Sequence, residues 1–214
     1  MTTVHTFCVN PVQENTYILY DNSGDCVIID PGCYETHEQR WIAQFIKAKK
    51  LNLVRCLLTH AHFDHIFGCE WVFDTYGLLP EMHAGEQPVW QRGAESAGRF
   101  GIPFQLPAFQ PLFIAENTEI TFGDTVLKTL FVPGHSPASL CFYCAESAFL
   151  IAGDTLFAGA IGRTDFPGSN HALLIESIES QLFSLPDPTK VYAGHGSSTT
   201  IGRERESNPF FRNL

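Results

Sequence analysis

Short runs of alternating apolar and polar residues open the chain, and their period of two predicts strands over residues 4–9, 16–20 and 26–29. Asn22-Ser23-Gly24-Asp25 is a turn tetrad between the last two, so a meander or hairpin is expected. Asp30-Pro31-Gly32 stops the third run, and the period then changes. Trp41, Ile42, Phe45 and Ile46 recur at helical spacing behind Thr36 and Gln39, a capping-box pattern that predicts a helix over 37–49. Residues 53–59 are apolar enough for a buried strand, and 66–76 form an expected helix ending on Gly77. Between Pro80 and Pro111 the pattern weakens. A helix over 87–100 and an apolar loop over 100–104 would make this stretch a lid, a substrate wall or simply a cover for the core. Strands resume at 119–122, at 125–131 across Gly123-Asp124, and at 140–144 and 149–152. Leu173, Leu174, Ile178 and Leu182 mark a helix that stops before Pro186, and 191–193 is a last short strand.

Strands thus precede helices in two similar halves, with local hairpins in each. That order predicts a mixed α/β (α+β) class in which two packed sheets are covered by helices, a four-layer αβ/βα sandwich, with 1–214 as a single domain. A hydrophobic content of 44% supports a full core, and the scattered charge argues against disorder. No basic, apolar leader opens the chain and no apolar run approaches the roughly 20 residues that span a bilayer, so a cytoplasmic protein without a membrane partner is expected. A formal charge of −10 with no Lys/Arg run disfavours nucleic acid. The composition leaves the oligomeric state open. The seven cysteines are dispersed among apolar neighbours and read as reduced, buried thiols. Cys141 and Cys144 have CxxC spacing, but a strand there would point them to opposite faces.

The chemistry concentrates in Thr59-His60-Ala61-His62-Phe63-Asp64-His65, at a strand-to-helix junction. Residues two apart on an extended segment share a face, so His60 and His62 can serve one ion while Asp64 and His65 turn toward a neighbouring position. Such a density of His and Asp against apolar flanks would otherwise carry a desolvation cost. His135, Asp154 and His195 share a local context: each follows an apolar run and a glycine, as in Val132-Pro133-Gly134-His135 and Ile151-Ala152-Gly153-Asp154. If those strand ends align, seven ligands converge. Five imidazoles and two carboxylates suit two divalent ions, zinc first, with iron or manganese also compatible. A bound water would then titrate near about 7, which makes hydrolysis the natural chemistry.

These residues resemble the HxHxDH motif and the later ligands of the metallo-β-lactamase superfamily, over nearly the whole chain. The resemblance implies that fold. It also implies His60, His62 and His135 on one metal, Asp64, His65 and His195 on the other, and Asp154 bridging, with Asp64 and Asp154 counted as catalytic. Asp30-Pro31-Gly32 is similar to the family's early acidic turn. Gly162-Arg163-Thr164-Asp165-Phe166 and the stretch from Thr199 to Phe210 resemble the short bacterial hydroxyacylglutathione hydrolases, or glyoxalase II enzymes. This implies attack of metal-bound hydroxide on a small thioester substrate, an acylglutathione such as lactoylglutathione or a related thioester. Arg163 is a candidate substrate-binding residue, or else one half of an Arg-Asp pair holding a turn. Two features depart from the pattern: the chain ends soon after His195, where the longer enzymes add a helical glutathione-binding domain, and Ala138 stands where relatives often have glycine. A persulfide dioxygenase with one iron is the principal alternative, and another hydrolase such as a lactonase is a further one.

Overall fold

The computed structural model describes residues 1–212. Strands β1 (Thr3–Val9), β2 (Glu14–Tyr20) and β3 (Asp25–Ile29) form the expected antiparallel meander, with Tyr20 opposite Cys26 across the 22–25 turn. Helix α1 (Thr36–Lys49) crosses over to β4 (Asn52–Leu57), which lies parallel to β3. The helix start lies one residue earlier than the Thr36/Gln39 pattern predicts. The Glu38 carboxylate accepts from the backbone N–H groups of Tyr34 and Glu35 (2.8 and 2.9 Å) and from Asn10 N–H at 2.6 Å, so it caps α1 and also ties it to the β1–β2 turn.

The helix expected over 66–76 is broken into α2 (Phe63–Ile66) and α3 (Cys69–Tyr76). Gly68 makes the break: its N–H donates to Pro31 O at 2.7 Å, and a Cβ there would collide with Cys33 Sγ. The weakly patterned segment holds two strands that the sequence did not announce, β5 (Pro80–His83) and, after α4 (Gln87–Gln91) and α5 (Gly93–Arg99), β6 (Leu112–Ile114). Both are short and pair in parallel; β5 begins on a proline and alternates over only four residues, and β6 is a three-residue apolar run, so neither gives a usable strand signal. The single helix expected over 87–100 is therefore two, hinged at Arg92.

The second half begins with the hairpin β7 (Glu119–Phe122) and β8 (Thr125–Phe131), then β9 (Leu140–Cys144) and β10 (Phe149–Gly153). A small hairpin of β11 (Leu156–Phe157) and β12 (Ala160–Ile161) leads to α6 (His171–Ser177), continued by a π turn over Ile178–Leu182. Strand β13 (Lys190–Ala193) lies parallel to β10, and β14 (Thr199–Thr200) and α7 (Ile201–Ser207) close the described chain.

The strands form two six-stranded sheets, β1-β2-β3-β4-β5-β6 and β14-β13-β10-β9-β8-β7. Between them lies a core of Tyr17, Leu19, Val27, Ile29 and Leu57 from the first sheet against Leu127, Leu140, Phe142 and Ile151 from the second. The opposite faces are buried under helices: Ile18 and Ile28 under Ile42, Ile46 and Val72, and Leu150 and Val191 under Leu174, Ile178 and Ile201. Four layers result, as the element order implied. Strand periodicity places Cys141 in the helix-side core and Cys144 between the sheets; all seven cysteines are free, but only six are buried, Cys8 on the outer strand β1 being exposed against expectation. Among the described residues no helix is long and apolar enough to cross a membrane.

Candidate metal centre

Strands β3, β4, β8, β10 and β13 run in the same sense within their sheets, and the residues that follow them meet at one edge of the sandwich. The glycine before each late ligand has a steric reason. Gly134 has a φ of +137°, a left-handed value that turns the chain from β8 toward the site. Gly194 has no such φ, yet a Cβ on it would run into the Asp154 carboxylate and the His65 ring. The strand ends thus approach closely enough for seven side chains to gather.

His60, His62 and His135 offer ligand atoms within 4.8 Å of one another, and so do Asp64, His65 and His195. Asp154 stands between the groups, with carboxylate oxygens 3.7 Å from His135 Nε2, 3.6 Å from His195 Nε2 and 3.5 Å from His65 Nε2. All seven candidate ligands are therefore in one place. His60, His65, His135 and Asp64 are buried.

The surrounding hydrogen bonds fix which ring nitrogen carries the proton. His135 Nδ1 faces the Arg163 carbonyl oxygen at 2.7 Å and His195 Nδ1 faces that of Gln13 at 3.1 Å, so both are N–H donors. His65 Nδ1 lies 3.0 Å from Asp30 Oδ2 and donates to it. Thr59 Oγ1 spends its proton on the same carboxylate at 2.6 Å, which leaves it an acceptor for His60 Nδ1–H at 3.0 Å. Four imidazoles are thereby left with Nε2 directed at the cluster. The arrangement is the one in which a carboxylate or carbonyl orients a metal-ligating histidine. Asp30, singled out only as an early acidic turn, is the hub: its other oxygen accepts Thr59 N–H at 2.7 Å.

A divalent ion fits this donor set. His60 Nε2, His65 Nε2 and Asp154 Oδ1 are buried without a hydrogen-bond partner, an expensive state for polar atoms. His62 Nδ1 and His135 Nε2 stand 2.9 Å apart, near the roughly 3.3 Å separating two nitrogens that share one tetrahedral ion. Burial and the neighbouring imidazoles hold His60 well below its ordinary pKa, and burial with His135 lowers His62 to about 3, so both keep a free lone pair. Burial also works against a charge on His65, but the carboxylates of Asp64, Asp154 and Asp30 override it and raise its pKa. Those carboxylates demand positive charge at a point where only a proton or a cation can supply it.

Other contributors carried no sequence signal. Glu86, fully buried, accepts from Ala61 N–H (3.0 Å), Ser136 Oγ (2.6 Å) and Ala138 N–H (2.8 Å), and so ties the His60–His62 loop to the His135 loop. Asn10 donates to the carbonyls of Gly32 and Asp64, and Asn15 to those of Ala193 and Gly196, pinning the loops on the other side. Arg163 is exposed, makes a two-point pair with Asp165 (3.0 and 2.7 Å) and lies 4.6 Å over the Phe166 ring. It thus holds a turn whose carbonyl orients His135, while its guanidinium also lines the cavity. That cavity, of about 400 Å³, opens over His62, Asp64, His135, Asp154 and His195. Phe63 and Phe166 line its walls, and the Phe166 ring sits 5.2 Å from His62.

Comparison with known proteins places this geometry in a family. The model of the metallo-beta-lactamase superfamily matches residues 9–195. A probable metallo-hydrolase, YqgX, of Bacillus subtilis (strain 168) is 40% identical over 94% of both chains. The hydroxyacylglutathione hydrolase GloC of Haemophilus influenzae is 36% identical, again over 94% of each. Among solved structures, the B3 metallo-beta-lactamase BLEG-1 superposes with a TM-score of 0.90 at 34% identity, covering 99% of this chain and 100% of that one. A di-iron-bound form of TTHA1623 superposes at 0.87 with 35% identity, covering 97% and 100%.

Proposed function

Since the chain belongs to the metallo-beta-lactamase superfamily, we propose that it is a hydrolase of small thioesters, acylglutathiones among them, working with two divalent metal ions. The observation that carries this reading is the set of four Nε2 atoms with fixed tautomers gathered beside two carboxylates, with His60 Nε2, His65 Nε2 and Asp154 Oδ1 buried and otherwise unpartnered. His60, His62 and His135 would hold one ion, Asp64, His65 and His195 the second, and Asp154, in reach of both groups, would bridge. When bound, such ions acidify a water and polarise the carbonyl under attack. Zinc suits the donors, and iron or manganese is also compatible.

The chain's own part is to aim the ligands and to line the cavity. Asp30, Thr59 and the carbonyls of Gln13 and Arg163 hold the imidazoles in one orientation, so little reorganisation is left for the reaction. Phe63 and Phe166 give the end of the cavity next to the ligands an apolar lining. Among the described residues no cysteine lines the cavity, so its lining offers no thiol nucleophile. A thiolate leaving group, with a pKa near about 8.5, departs without a general acid. The relative named GloC supports the thioester substrate, and the second donor group, Asp64, His65 and His195, supports two ions rather than one.

The deciding assay compares purified, metal-loaded protein on lactoylglutathione, a non-glutathione thioester and a β-lactam. Turnover of thioesters with little or none of the β-lactam is expected. The reverse preference would overturn the proposal, and oxygen uptake with glutathione persulfide at one iron per chain would replace it with a dioxygenase.

A further inference from the structure

The segment that sequence left as lid, wall or cover is a wall with two distinct faces. Glu95, Ser96 and Arg99 stand three, four and seven residues after Arg92, the spacing of one helical face, and all four line the cavity. On the other face Gly93 and Ala97 are buried: a Cβ at Gly93 would touch Ile66 Cδ1, and Ala97 packs against Phe63 and Phe67. Helix α5 is thus seated on α2, the element that carries Asp64 and His65. Whatever binds to this face, from Arg92 at the start of α5 to Arg99 at its end, lies beside the element that carries two candidate ligands.

Three arginines border the cavity, and two are neutralised within the chain. Arg99 pairs with Glu95 at 2.6 Å and Arg163 with Asp165 at 2.7 Å. Arg92 is different. Its Nε donates to Pro88 O at 3.1 Å, and among the described residues no carboxylate pairs with it. A guanidinium left without an acid, in a chain with ten more acidic than basic residues, on the lining of a cavity with aromatic walls, has the charge and the free donors to hold an anion borne by a ligand.

We propose that Arg92 is a specificity-determining residue that holds a carboxylate of the substrate, remote from the scissile bond. This assignment rests on the thioester reading above. The carboxylate can belong to the thiol half or to the acyl half, and three small thioesters separate the cases: the acetyl thioester of 3-mercaptopropionate, the succinyl thioester of 2-mercaptoethanol, and the neutral acetyl thioester of 2-mercaptoethanol. The wild-type protein should favour one of the charged pair over the neutral compound in kcat/KM, and the favoured compound names the half. In Arg92→Ala that preference should fall by at least about tenfold, the order expected for a charge-assisted hydrogen bond, through KM rather than kcat, with Arg92→Lys restoring part of it. The ratio cancels any general loss of activity. Thioester turnover with no preference for charge, or a preference that survives Arg92→Ala, overturns the assignment and leaves the thioester reading standing. A metal-loaded protein that hydrolyses none of the three and not lactoylglutathione either overturns both.

Discussion

Replacing Glu86 probes the least visible support of the site. Its carboxylate receives three donors from two ligand-bearing loops, at 3.0, 2.6 and 2.8 Å. In Glu86→Ala the Ser136 hydroxyl can turn to another acceptor, but the N–H groups of Ala61 and Ala138 cannot, and each buried orphan costs roughly 1–3 kcal/mol. Burial raises the pKa of Glu86 itself, so losing the buried carboxyl returns part of that cost. A net destabilisation of about 2–4 kcal/mol is expected. Glu86→Gln is the sharper probe: whichever way the amide turns, its NH2 meets a backbone N–H, leaving one orphan and a loss of about 1–3 kcal/mol. Because the two loops carry His62 and His135, metal affinity should fall alongside stability. Urea denaturation and chelator competition on the folded variants measure the two effects separately. Glu86→Gln with wild-type stability and wild-type metal affinity would refute the strut.

Three further predictions concern other links. Asp21, just after β2 in the first sheet, accepts from Asp124 N–H (2.8 Å) and Thr125 Oγ1 (2.7 Å) at the hairpin of the second, so Asp21→Ala should cost about 2–3 kcal/mol in urea denaturation at neutral pH. Burial works to raise the Asp21 pKa, but the hydrogen bonds from Ser23, Thr125 and Asp124 outweigh it and leave it lowered. Its contribution is therefore complete above the unfolded value of about 3.9 and is lost as pH falls through the lower folded value; Asp21→Asn should flatten the stability profile in that acid window, and an unchanged profile would contradict the link. Gly194→Ala adds one methyl group against Asp154 and His65 without changing charge, and should deplete metal in elemental analysis while circular dichroism stays native. Burial pushes the Cys141 thiol up to about 12, and Cys141 and Cys144 face separate cores, so Cys141→Ala/Cys144→Ala should keep its metal and its thioester turnover, whereas loss of metal would give the pair a role denied to it here.

The layers were legible in the sequence because strands such as β2 and β10 are patterned against two different cores, and α1 carries a strong apolar stripe. Strands β5 and β6 were not, since Pro80 argues against a strand whose alternation lasts only four residues, and residues 112–114 are a bare three-residue apolar run. The ligand residues were legible because each follows a strand and, for the later three, a glycine whose absent side chain the site requires. What held them was not: Glu86 is one unremarkable carboxylate in a segment without pattern, and only the fold brings it between two loops. Arg163 shows the same limit in reverse, since its guanidinium pairs with Asp165 while its backbone carbonyl orients His135, and no side-chain identity announces a backbone role.

The central claim is a two-ion centre bridged by Asp154, and elemental analysis of metal per chain in the wild-type protein and in Asp154→Ala tests it most directly. The arrangement of ligands predicts two ions per wild-type chain, and in the variant at most one, with thioester hydrolysis abolished. A wild-type protein that retains one ion or none after loading, or an Asp154→Ala variant that keeps both ions and its turnover, would contradict it.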